Sequence, residues 1–298
     1  MRAIVKHAFY SCQRQAARLR MRWHRDRHPL TRFPIFSLHT IAAAASDMAV
    51  SENRLRAQLC GLLDSGYRCL DLPDALHALA RPEPLPQPAF CLTFDDGYRS
   101  LYECGLSILE ELDLTATVFI TVNFLDGKVR PPWHSSDAIL VREYELNSAD
   151  FQPLEWSQLR EIIATKRVRL GSHSLSHFMV GHLPEAQLQA EIRQSKQILE
   201  DRLGVEVPFF AYPYGVRPYG AYTERSEAII HEAGYRCSCT SRISRAAVGM
   251  GTWLLPRLSL VNADSPLDAR AKAAGAYDWV ALAQNSFHGI FPNPHGTS

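Results

Sequence analysis

Two adjacent carboxylates, Asp95 and Asp96, close the apolar run "FCLTFDDG", and two histidines, His173 and His177, follow a second apolar run in "RLGSHSLSH". Imidazoles four residues apart fall on one face of a helical turn, where they can share a metal ion. With one Asp they make a three-ligand set that leaves positions for water and substrate, as a catalytic rather than a structural site requires. The second carboxylate then remains beside the cation as a free base. Taken alone, Asp-Asp-Gly after a strand is commonly just a turn. A third run, "FFAY", leads into Pro213, Tyr214 and Gly215. In isolation that is also a turn, but on the same face as the other two it can aim backbone N–H groups at a developing oxyanion.

Such clusters, far apart in sequence, meet only if the elements before them converge. Apolar stretches alternate with amphipathic ones from residue 33 to about 276, the pattern of strands interleaved with helices. Strand candidates are Pro34 to Leu38, Ala89 to Phe94, Ala116 to Val122, Val168 to Gly171, Phe209 to Tyr212, Cys237 to Thr240 and Leu254 to Leu260. About seven strands suit an α/β fold closed as a distorted (β/α) barrel, whose strand ends gather on one face. Leu101, Gly105, Ile108 and Leu112 repeat at helical spacing, as do Leu188, Ile192, Ser195 and Leu199, with Gly204 as a stop. Residues 123–153 have weak periodicity and read as an insertion or lid loop over one end of the barrel.

The composition is that of a globular protein, and a net charge of +1 gives no reason to expect nucleic acid as a partner. No CxxC pair occurs among the seven cysteines, which read as reduced, mostly buried thiols and point to a reducing compartment. Residues 1–32 form a basic arm in which Asp26 is the lone acid; such an arm can rest on an anionic membrane surface or be a solvated terminus. Within it His24 and His28 have metal spacing but sit among arginines that repel a cation. The apolar "IFSLHTIAAAA" comes too late for a cleaved secretory signal, and no apolar run has the length of a membrane-spanning helix. The expected location is the cytoplasm or the cytoplasmic face of the membrane. The barrel is expected over residues 33–276 and a C-terminal tail over 277–298.

In this order, "LTFDDG", "GSHSLSH" and "FAYPYG" resemble the polysaccharide deacetylase family, carbohydrate esterase family 4, with its nodulation-protein-like deacetylase domain. The resemblance covers roughly residues 33–260 and is nearest to the circularly permuted branch that deacetylates poly-β-1,6-N-acetylglucosamine, where a strand near the N-terminus delivers a histidine. It implies a hydrolase that removes N-acetyl groups from amino sugars of a polysaccharide, with Asp95 as general base and Asp96, His173 and His177 as metal ligands. Zinc suits such ligands, with cobalt, nickel and iron open. The Tyr214 N–H would help to form the oxyanion hole, with Pro213 beside it on the substrate side. For the general acid the resemblance offers His39, in "FPIFSLHTI", ahead of His288 in "NSFHGIFPNPHG". His182 reads as a rim residue. Many members begin the third motif with an arginine that orients the base; here Ala211 and Tyr212 stand there, and Arg257 in "LLPRLSL" is the candidate for that role, with Trp253 beside it as a pocket-lining candidate. Two other functions stay open: a deacylase or deformylase of a lipid-linked amino sugar, and a non-catalytic saccharide-binding scaffold.

Overall fold

The computed structural model describes residues 30–43, 48–81, 83–131, 133 and 138–281. Strands β1 (Ile35–Leu38), β2 (Arg68–Leu70), β3 (Ala89–Phe94), β4 (Ala116–Ile120), β5 (Val168–Ser172), β6 (Phe209–Ala211), β7 (Cys237–Cys239) and β8 (Leu258–Ser259) form one sheet. Their order is β7-β6-β5-β4-β3-β1-β8, with β2 added against β3. All these pairings are parallel. Parallel strands covered on both faces are apolar throughout, and every residue of β3, "AFCLTF", is buried. Each stretch expected to be a strand supplies one; β2 was not foreseen, being three residues long and starting with an exposed arginine.

The barrel closes through residues 255–259. Leu255 bridges Cys239 on one edge, while Leu258 and Ser259 pair with Phe36 and Ser37 on the other. A strand from the start of the described chain therefore lies between β3 and the C-terminal strand. Inside the barrel sit Ile35, Cys91, Phe119, Phe209, Ala211, Cys237, Cys239 and Leu255, all buried.

Helices cover the outside. The stripe Leu188, Ile192, Ser195 and Leu199 is buried, and Gly204 ends that run with a left-handed φ of 68°, a conformation glycine adopts without a Cβ clash. The 123–153 insertion carries helices at Val122–Leu125 and Ala138–Leu146 and a short turn of helix at Ser148–Phe151, more structure than a lid loop. Tyr277 and Val280, assigned by sequence to the tail, are buried in the core, and Arg245 reaches Asp278 at 3.1 Å. Residues 1–29 and 282–298, including His24, His28 and His288, lie outside the described residues. No helix among the described residues is long and apolar enough to cross a membrane.

Gly171, in β5 just before the site, has no room for a side chain. A Cβ there would stand 2.5 Å from the Phe119 ring and 3.1 Å from the Phe209 carbonyl oxygen. Because buried rings and strand backbone yield little, Gly171→Ala is expected to lower the unfolding free energy by about 1–3 kcal/mol, read from urea unfolding curves.

Candidate active site

At the end of β3 the ladder runs one residue further, with Asp95 N–H donating to the Leu38 carbonyl at 2.8 Å. The chain then turns sharply: Asp96 has φ 73° and Gly97 φ 94°. That turn sends two neighbouring carboxylates to different partners. At the end of β5, His173 N–H donates to the Ile120 carbonyl at 2.8 Å, and Ser174 and His177 take φ values of 67° and 61°. Tyr214, after β6, has φ 61°. Left-handed backbone at non-glycine residues costs energy and gathers where a site over-determines the chain. The expected helical turn from His173 to His177 is therefore corrected. The segment is a tight loop held from outside, because Glu191 accepts Ser176 N–H on its carboxylate (2.7 Å) and Leu175 N–H on its carbonyl (3.1 Å).

The three clusters converge. His173 Nε2 and His177 Nε2 lie 3.5 and 3.3 Å from Asp96 Oδ1. One ligand atom from each residue falls within 4.8 Å of the other two, and all three side chains are buried. Both Asp96 oxygens are shut from solvent yet accept no hydrogen bond from the described residues, a costly state for a carboxylate unless positive charge is supplied. Burial pushes the Asp96 carboxyl up, but contact with His177 and the charge of its neighbours hold it far below the usual range. Burial takes His173 down to about 4, so at neutral pH it is an uncharged imidazole with a lone pair to offer. Its Nδ1 lies 2.8 Å from the Ala211 carbonyl; a carbonyl only accepts, so the proton sits on Nδ1 and Nε2 faces Asp96. This donor set fits a small divalent cation.

Asp95 is held differently. Arg257 clamps it through two parallel hydrogen bonds, 2.6 Å to Oδ1 and 2.8 Å to Oδ2. The guanidinium also donates to Thr93 Oγ1 and the Thr240 carbonyl, each at 3.1 Å. Arg257 is only 2% exposed, so its charge is matched inside the protein. Burial pushes Asp95 up, but Arg257 first, then His173 and His39, bring its carboxyl below the ordinary value. His39 Nε2 stands 3.9 Å from Asp95 Oδ2 on the more open side.

Other sequence candidates fall elsewhere. The Trp253 ring stacks on His231, centroids 3.5 Å apart, and His182 fills the space beside Gly220. Two residues at the site escaped sequence reasoning. Trp133 stacks on His177 from a stretch without periodicity, and Glu191 lies on the buried side of the 185–203 helical run. A lone acid sharing an apolar stripe was the available signal for Glu191.

The model of the family described as polysaccharide deacetylase matches residues 83–238, just over half of the chain. The chain belongs to the polysaccharide deacetylase family. YxkH of Bacillus subtilis (strain 168), whose name places it among such deacetylases, is 22% identical over 236 residues, 79% of this chain and 74% of that protein. The poly-beta-1,6-N-acetyl-D-glucosamine N-deacetylase of Escherichia coli (strain K12) is 30% identical over 154 residues, 50% of this chain. The match spans only 22% of that longer protein. Among solved structures, the Streptococcus pyogenes deacetylase PplD in complex with acetate superposes with a TM-score of 0.67, at 21% identity, covering 82% of this chain and 99% of that one. IcaB from Ammonifex degensii gives 0.65 at 23% identity, covering 81% and 97%. These likenesses confirm the barrel expected for a carbohydrate deacetylase, a hydrolase. In this deacetylase Asp95, Asp96, His173, His177 and Tyr214 fall inside the matched segment, and His39 and Arg257 outside it.

Removing one partner of a buried ion pair leaves the other charge stranded. Arg257→Met, which keeps volume and deletes the charge, is expected to cost about 3–5 kcal/mol of stability, measured by chemical unfolding at neutral pH.

Proposed function

We propose that this deacetylase hydrolyses N-acetyl groups on amino-sugar residues of a bacterial polysaccharide, with exopolysaccharides of the poly-β-1,6-N-acetylglucosamine type as the substrate class. The observation that carries the reading is the juxtaposition of a buried Asp96, His173 and His177 cluster with an Arg257-clamped Asp95 and a neighbouring His39. The Escherichia coli relative's name supports the choice of substrate class.

Asp96, His173 and His177 would hold a divalent cation, with zinc best suited to two imidazoles and a carboxylate. When bound, such an ion supplies Lewis acidity that lowers the pKa of water and polarises a carbonyl.

The chain's own groups then divide the proton work. Asp95, kept ionised by Arg257, accepts a proton from the attacking water. The new C–O bond forms at the acetamide carbon, and the Tyr214 backbone N–H supports the developing oxyanion, with Pro213 shaping the turn that presents it. As the C–N bond breaks, His39 gives its proton to the sugar nitrogen, so the leaving group departs as an amine rather than an amide anion. Acetate and the free amino sugar are the products. Clamping matters here because a base whose carboxylate cannot rotate keeps its free lone pairs on one approach line.

The expected outcome is acetate release from N-acetylglucosamine oligomers, abolished by chelator and restored by added zinc. Asp95→Asn should lower kcat by about 10²–10⁴-fold while elemental analysis still finds the metal in the protein. A variant with full activity would remove Asp95 as the base.

A further inference from the structure

The two histidines of the cluster are oriented by different means. His173 has the Ala211 carbonyl on its Nδ1 at 2.8 Å, the usual way of fixing a ligating imidazole through its other nitrogen. His177 has no counterpart: its Nδ1 is buried and finds no hydrogen-bond partner among the described residues. Its backbone is left-handed as well, with φ 61°, so local chain preference does not hold the ring in place. What meets the ring is aromatic. Trp133 lies nearly parallel to it, with centroids 4.4 Å apart and planes 24° from one another. Tyr214 meets it edge-on at 4.9 Å and 66°.

Trp133 is itself buried, its indole N–H without a hydrogen-bond partner among the described residues. The residue is 6% exposed, Phe124 packs edge-on against its ring at 5.1 Å, and the Tyr214 hydroxyl donates to its carbonyl at 3.0 Å. Tyr214 thus touches both members of the stack, the ring of His177 and the backbone of Trp133.

We propose that Trp133 is a positioning residue for the metal ligand His177, its indole face doing for that ring what the Ala211 carbonyl does for His173. The inference rests on the proposed reading that Asp96, His173 and His177 hold a divalent cation. A cation on Nε2 draws electron density from the imidazole and leaves the ring partly positive, and an indole face attracts positive charge more strongly than a phenyl face. The stack therefore favours the loaded form over the empty one. A filler side chain of similar bulk has no such preference. The predicted order of metal affinity at position 133 is Trp, then Phe, then Leu.

The test uses the full chain, stripped of metal and titrated with zinc against a chromophoric chelator. Trp133→Leu is expected to bind zinc about 10–100-fold more weakly, the usual consequence of losing a group that orients a ligand, and Trp133→Phe to recover part of that loss. Cobalt-loaded Trp133→Leu should show altered visible absorption bands, with the Phe variant closer to the parent. Thermal unfolding of the metal-free proteins separates packing from positioning. If Leu and Phe variants lose affinity equally and in step with their unfolding midpoints, Trp133 is only packing and the proposal fails. Unchanged zinc affinity and cobalt spectrum in Trp133→Leu overturn it as well. Absence of zinc binding by the unaltered protein would instead sink the metal reading itself, and the inference with it.

Discussion

Two adjacent buried carboxylates cannot both stay ionised unless each has its own source of positive charge. This constraint governs the site. Asp95 and Asp96 are 4% and 0% exposed, so water screens neither. The left-handed turn at Asp96 is what allows separate solutions, because it points consecutive side chains to opposite neighbours. Asp95 receives a permanent cation, the Arg257 guanidinium, whose bidentate geometry also fixes the plane of the carboxylate. Asp96 receives two imidazoles, one of them uncharged at neutral pH, and neither of its oxygens accepts a hydrogen bond from the described residues. The unequal treatment of two identical side chains is the chemical content of the site: one carboxylate is clamped by a guanidinium, the other faces two imidazoles.

The barrel is built to deliver that difference. Arg257 lies on the 255–259 segment that joins the two edges of the sheet, which puts its side chain in the interior next to β3. The strand paired with β3 on that side, β1, ends at Leu38, and His39 is the next residue. Closure of the sheet and completion of the site are therefore one event: the segment that seals the barrel also carries the counter-ion of Asp95. This coupling accounts for the burial of Arg257, which would be expensive for a residue that only supported the fold.

Much of this was legible in the sequence because motifs at strand ends are local. "LTFDDG", "GSHSLSH" and "FAYPYG" each combine a buried strand with the chemistry that follows it, and seven of the eight sheet strands announce themselves as apolar runs. The failures are of another kind. Strand β2 owes its existence to pairing with β3 and has almost no pattern of its own. The helical spacing of His173 and His177 misled because tertiary hydrogen bonds accepted by Glu191 hold a loop where spacing alone suggests a turn of helix. Trp253 lies near Arg257 in sequence, but its ring goes to His231. Trp133 went unseen because stacking leaves no periodic trace, and its neighbour in space, His177, is 44 residues away in number.

The family match ends where the charge balance is still incomplete. Residues 83–238 contain both aspartates, both histidines and Tyr214, yet neither Arg257 nor His39. A segment with those limits would hold both carboxylates and both imidazoles of the cluster but neither the guanidinium that clamps Asp95 nor the His39 imidazole beside it. Asp95 would then lose Arg257 and His39 from the groups that hold its carboxyl below the ordinary value, leaving His173 alone of the three against the upward push of burial. The charge environment of Asp95 therefore draws on both ends of the described chain, from His39 after β1 to Arg257 before β8. The matched segment carries both aspartates and both histidines, and the segments flanking it carry the guanidinium and the imidazole that help to lower the Asp95 carboxyl.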